Sequence, residues 1–141
     1  MTSSVHAVVP VADAEPVHRQ GGQFRFVLSP RTCTTTSALM AELQIAAGSR
    51  LIEHYHPFSD ENLFVVAGTL TATVEAVQVE VPADTCLFIP RGAHHSFANN
   101  GSELMRAVVT LTPLAPRPEL GHVDCEPPLI QELPESVGAA R

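Results

Sequence analysis

With 141 residues, 45% of them hydrophobic, the chain is long enough for one domain with a real core and too apolar to be disordered. Its net charge of −7, from 8 basic against 15 acidic residues, comes with no Lys/Arg cluster, which argues against a nucleic-acid partner. No apolar run reaches the length needed to span a bilayer, and Met1-Thr-Ser-Ser-Val-His has neither the charged start nor the apolar stretch of a signal peptide. Cys33, Cys86 and Cys125 are an odd set without metal-type spacing, expected as reduced thiols of a cytoplasmic protein.

In chain order, residues 1–22 read as an arm ending in Gly21-Gly22. Phe24 to Leu28 is a short strand stopped by Ser29-Pro30. Ala38 to Ala46 alternates, with Leu39, Ala41, Leu43 and Ile45 on one face and Met40, Glu42 and Gln44 on the other, the period of a half-buried strand. Gly48-Ser49 turns into a strand carrying His54 and His56, and Asn62 to Ala67 follows as the next. Gly68 opens a Thr- and Val-rich run from Thr69 to Val77. Val79 to Val81, Thr85 to Ile89, His95 to Ala98 and Leu104 to Leu111 complete the set, with Cys86 expected in the core. No stretch makes a convincing amphipathic helix. Many short strands punctuated by Gly and Pro predict an all-β closed barrel or jelly roll, occupying residues 23–112. The segment 113–141 is broken by Pro113, Pro116, Pro118, Pro127, Pro128 and Pro134, yet carries Leu114, Leu120, Val123, Leu129, Ile130 and Leu133. It is expected to pack on the barrel or a partner subunit to about residue 130, with Val137 to Arg141 loose.

Four residues carry the chemistry: His54, His56, Glu61 and His95. Imidazole and carboxylate suit Zn²⁺, Fe²⁺, Mn²⁺ or Ni²⁺. His54 and His56 are two apart, so an extended strand points both to one face. Glu61 follows a turn marked by Pro57, Ser59 and Asp60, so a hairpin returns it beside the pair. A lone His-x-His is weak evidence; here an acid, flanking glycines and a second Pro-x-Gly-x-x-His unit accompany it. His94 and Tyr55 are expected to point away from the metal by alternation, His122 and Asp124 to form a hydrogen bond in the tail, and Arg50, Arg91 and Arg106 to make surface ion pairs.

These segments resemble the paired motifs of the cupin superfamily. Residues 48 to 68 satisfy Gly-x5-His-x-His-x4-Glu-x6-Gly throughout, from Gly48 to Gly68. Residues 84 to 99 satisfy Gly-x5-Pro-x-Gly-x2-His-x3-Asn except that Asp84 replaces the first glycine, a residue that tolerates a left-handed turn. The resemblance implies a cupin jelly-roll β-barrel with a metal held inside by His54, His56, Glu61 and His95. The run His54 to Gly68, the entry Gly21 to Thr32 and the tail Leu111 to Asp124 further resemble small cupins typified by tetracenomycin-type and resistomycin-type polyketide cyclases. That implies a zinc-dependent cyclase acting on a poly-β-ketone in antibiotic biosynthesis, free or on an acyl carrier protein, with His54, His56, Glu61 and His95 as the residues on which the reaction depends. A homodimer is expected. Two other readings fit the same ligands: an iron-dependent oxygenase acting on an aromatic polyketide, and a non-catalytic accessory of a polyketide synthase.

Overall fold

A computed structural model describes residues 6–129 of the chain. The reading for Val137 to Arg141 lies outside the described residues. Among the described residues eleven strands run in chain order: β1 Pro16–Val17, β2 Gln23–Leu28, β3 Leu39–Ile45, β4 Arg50–Tyr55, β5 Asp60–Ala67, β6 Thr69–Val74, β7 Val77–Pro82, β8 Thr85–Ile89, β9 His95–Ala98, β10 Met105–Thr112 and β11 Val123–Asp124. Single turns of 3-10 helix at Val11–Asp13 and Pro118–Leu120 are the only helical elements among the described residues.

The strands form two antiparallel sheets, a six-stranded one in the order β1-β2-β3-β10-β5-β8 and a five-stranded one in the order β11-β4-β9-β6-β7. Between β3 and β10 the chain changes sheet at nearly every connection, which is the jelly-roll solution to covering an apolar sheet face. The inward residues make one core from both sheets: Leu43, Ile45, Leu63, Val65, Met105 and Ala107 from one, Leu51, Leu70, Ala72 and Phe97 from the other. Each large side chain buried there contributes about 1.5–3 kcal/mol.

Gly68 is the single residue linking β5 in one sheet to β6 in the other. Its φ is +74°, and a Cβ would lie 2.7 Å from the Leu104 carbonyl oxygen. Only glycine makes this corner without strain. Asp84, standing where the motif has glycine, has φ +62°, as its tolerance for the left-handed region allows.

Two expectations are corrected. The run Thr69 to Val77 is not one strand, because the chain reverses at Glu75 and Ala76, with φ +48° and +67°. Neither residue is one that favours positive φ, so the hairpin carries no turn signal and is held by pairing of β6 with β7 over six residue pairs. Cys86 is exposed, not core. In β8 it shares the outward face with Phe88, while Leu87 and Ile89 turn inward.

Candidate metal centre

The histidine strand needs a local irregularity to aim its side chains. Strict alternation from inward Leu51 would turn residue 53 inward and His54 outward. The β4–β9 register pairs Leu51 with Phe97 but His54 with His95, three steps on one strand against two on the other. This extra residue in β4 resets the phase. His54 therefore faces the interior, and Glu53 and Tyr55 face out. His56 lies just past β4, its carbonyl accepting a 2.9 Å hydrogen bond from Gly92 N–H in the turn that leads to His95. Asp60 Oδ1 accepts from Arg91 N–H of the same turn at 2.9 Å. Glu61 comes from the opposite sheet, on the inward row between Leu111 of β10 and Ile89 of β8. Asn99, the last motif position, plays no part in the site: its buried amide donates to the carbonyls of Ile45 and Glu103 at 2.7 Å.

The structure brings His54, His56, Glu61 and His95 together, all buried, with donor atoms within 4.8 Å of one another. Each imidazole is fixed by a 2.9 Å hydrogen bond in which Nδ1–H donates to a backbone carbonyl: His54 to Ile52, His56 to Gly121 and His95 to Ala93. Such bonds orient metal-ligating histidines and leave Nε2 to bind. The Nε2 atoms of His56 and His95 both lie 3.2 Å from Glu61 Oε1. His95 Nε2 is close to that oxygen but misaligned, a buried nitrogen without a hydrogen-bond partner. Burial pushes the Glu61 carboxyl up, but His56 and His95 outweigh it and hold it well below the usual carboxylate range. Burial pushes His95 down, and Glu61 more than reverses this, raising it. Burial, joined by the charges of His95 and His122, lowers His54 to about 3, so that ring stays neutral. A buried anion facing three crowded imidazole nitrogens calls for positive charge at one point. One divalent cation meets that demand with every lone pair used, whereas protons on adjacent rings would repel.

The outer residues fall as follows. His122 stacks on His54 with ring centroids 4.6 Å apart and lies 5.4 Å from His56, so it covers the four-residue cluster. Its Nε2–H donates to Asp124 Oδ1 at 2.5 Å, and its Nδ1 accepts from the Gln20 amide at 3.2 Å. Arg19 pairs with Asp124. The sequence carried His122 and Asp124 as a tail pair; it gave no signal for Arg19 and Gln20, single polar residues of the arm without motif or period. Tyr55 and His94 point outward, stacked on each other at 4.5 Å. Arg50 pairs with Glu126 at 2.9 Å, and Arg106 with the buried Glu42 at 2.5 Å.

The profile of the cupin domain matches residues 41–111, the span holding all four site residues. The chain belongs to the cupin family. This cupin is 41% identical over 138 residues to the tetracenomycin polyketide synthase protein TcmJ of Streptomyces glaucescens, covering 97% of this chain and 93% of that protein. It is 42% identical to the polyketide synthase CurC of Streptomyces cyaneus, over 89% of this chain and 81% of that one. Among solved structures, a predicted oxalate decarboxylase from Thermotoga maritima superposes with a TM-score of 0.67 at 21% identity, covering 77% of this chain and 100% of that one. A deletion mutant of Bacillus subtilis oxalate decarboxylase gives 0.70 at 19% identity, covering 82% of this cupin and 31% of that chain. These likenesses carry the fold and not the reaction. No helix among the described residues is long and apolar enough to cross a membrane.

Proposed function

We propose that this cupin is a metal-dependent aromatic polyketide cyclase, closing and aromatising a ring of a poly-β-ketone by aldol-type chemistry in antibiotic biosynthesis, with Zn²⁺ as the resident ion. The observation that carries the metal part is the convergence of three imidazole nitrogens on the ionised, buried Glu61. The substrate class is supported by the names of its relatives from polyketide synthase systems.

A divalent cation held by His54, His56, Glu61 and His95 supplies Lewis acidity, which makes a methylene between two carbonyls easier to deprotonate. The chain's own residues do the rest. The carbonyls of Ile52, Gly121 and Ala93 keep the three rings oriented. His122 lies beside the ligands with its proton held at Nε2 against Asp124, while Gln20 donates to its Nδ1 and fixes the ring. Ile89 beside Glu61 and Phe97 beside His95, both buried, shield the ligands from water on their inner side. The substrate is free or borne on an acyl carrier protein. The working unit is a homodimer formed through the outer face of the six-stranded sheet, where Met40, Phe64, Val66 and Phe88 are exposed.

The test is ring closure of a carrier-bound poly-β-ketone, followed by chromatography, with the protein as purified, after chelation and after zinc is restored. Activity lost on chelation and regained with zinc, unchanged without oxygen, is expected. Full activity of the metal-free protein would sink the reading. Iron-dependent oxygen uptake would replace it with an oxygenase, and normal pathway output from a folded ligand-site variant would replace it with an accessory role.

A further inference from the structure

The two strands that supply His54 and His95 carry a second set of donors on their outer face. Glu53 precedes His54 in β4, and His94 precedes His95 at the start of β9. Cys125, just after β11, joins them, its N–H donating to the Glu53 carbonyl at 2.9 Å. Among the described residues, these three form the other group with metal-ligating donors within 4.8 Å of one another.

Their spacing is that of a coordination sphere. Cys125 Sγ lies 3.4 Å from His94 Nδ1, and Glu53 Oε2 lies 3.3 Å from the same nitrogen. Zinc bonds of about 2.0 Å to nitrogen or oxygen and 2.3 Å to sulfur place neighbouring donors of a tetrahedron roughly 3.3–3.7 Å apart. A single Nδ1 serves two neighbours poorly as a hydrogen-bonding atom, since it is either donor or acceptor. The ring is held by its parallel stack on Tyr55. Burial, then Glu53, Asp124 and Glu126, raise the Cys125 thiol. Without a cation it is therefore a poor nucleophile, while the same carboxylates attract a divalent ion.

We propose that Glu53, His94 and Cys125 form a second, exterior cation site for a zinc-class divalent ion, with solvent as the fourth ligand. Thiolate, imidazole and carboxylate together select a borderline-soft ion over Mg²⁺ or Ca²⁺. Cys125 belongs to the C-terminal segment, and the other two ligands belong to the barrel. The ion thus clamps onto the barrel the stretch that brings His122 over the interior centre. The two sets of donors share no residue, so this site stands whatever the interior reaction is.

The test is cobalt(II) titration of the metal-free full-length protein, read by sulfur-to-cobalt charge-transfer absorption. The interior ligands contain no sulfur, so the band reports only on the exterior site. The band is expected in the parent chain and in C33S/C86S, absent in C125S, and shifted at least tenfold to higher cobalt concentration in H94A. Zinc content at equilibrium dialysis is expected to fall from about two per chain to about one in C125S. A chain that gives no thiolate band, a band that survives C125S, or a zinc count unmoved by C125S would overturn the proposal.

Discussion

The two sheets of this cupin share one core but are unlike on their other faces. The five-stranded sheet contributes His54 and His95, with His56 at the end of β4, and its outer face is polar, with Arg50, Glu53, Tyr55, His94 and Ser96. The six-stranded sheet contributes Glu61 alone to the centre and turns aromatic and aliphatic side chains outward, Phe88 being 57% exposed. One sheet supplies most of the donors and the other supplies the counter-charge. The centre exists only where they meet, so its geometry depends on how the sheets are joined as much as on the ligands.

Breaking the donor side has the largest expected effect. H56A removes a nitrogen within 3.2 Å of Glu61, and we expect loss of bound metal and at least about a 100-fold fall in ring closure. Elemental analysis and product chromatography check this, with circular dichroism to confirm folding. Breaking the joint comes next. G68A places a Cβ against the Leu104 carbonyl at a positive φ, and should cost roughly 2–3 kcal/mol in urea unfolding. An unchanged midpoint would mean the sheets do not depend on that corner.

The outer faces can be separated in the same way. F64S/F88S on the six-stranded sheet should weaken self-association by about tenfold or more, seen by light scattering, with the metal still bound. If the parent chain is a monomer, that face has another use. The smallest effect is expected at Glu42, buried on the outward side of β3 beneath Arg106. Burial pushes its carboxyl up, but Gln44 and Arg106 hold it lower than normal. A carboxyl whose pKa is lowered by folding stabilises above its unfolded value, and that contribution fades as pH falls through the folded value. E42Q should therefore cost about 1 kcal/mol at neutral pH, and its thermal midpoint should converge with the parent's in acid.

Much of this was legible because the signals are local. His54, His56 and Glu61 lie within eight residues of one another, although the expected hairpin is instead a crossing between sheets, with β4 in the five-stranded sheet and β5 in the six-stranded one. Asp84 was readable as a left-handed residue for the same reason. What escaped depends on partners far along the chain. Glu75 and Ala76 turn a hairpin that only strand pairing demands. Cys86 lies in a short apolar strand whose facing cannot be read without knowing which side is core. Glu42 reads as solvent-facing by alternation but is buried beneath Arg106, 64 residues away. Arg19 and Gln20 gain a role only because the tail returns to them.

The Arg19–Asp124 pair ties together positions 105 residues apart, and the Arg19 side chain is 41% exposed. An attraction between partly hydrated charges weakens as salt screens it. Ionic strength should thus act on admission to the interior while leaving the ligands untouched. The rate at which a chelator extracts the ion should rise with added salt in the parent chain and be fast and salt-independent in R19A.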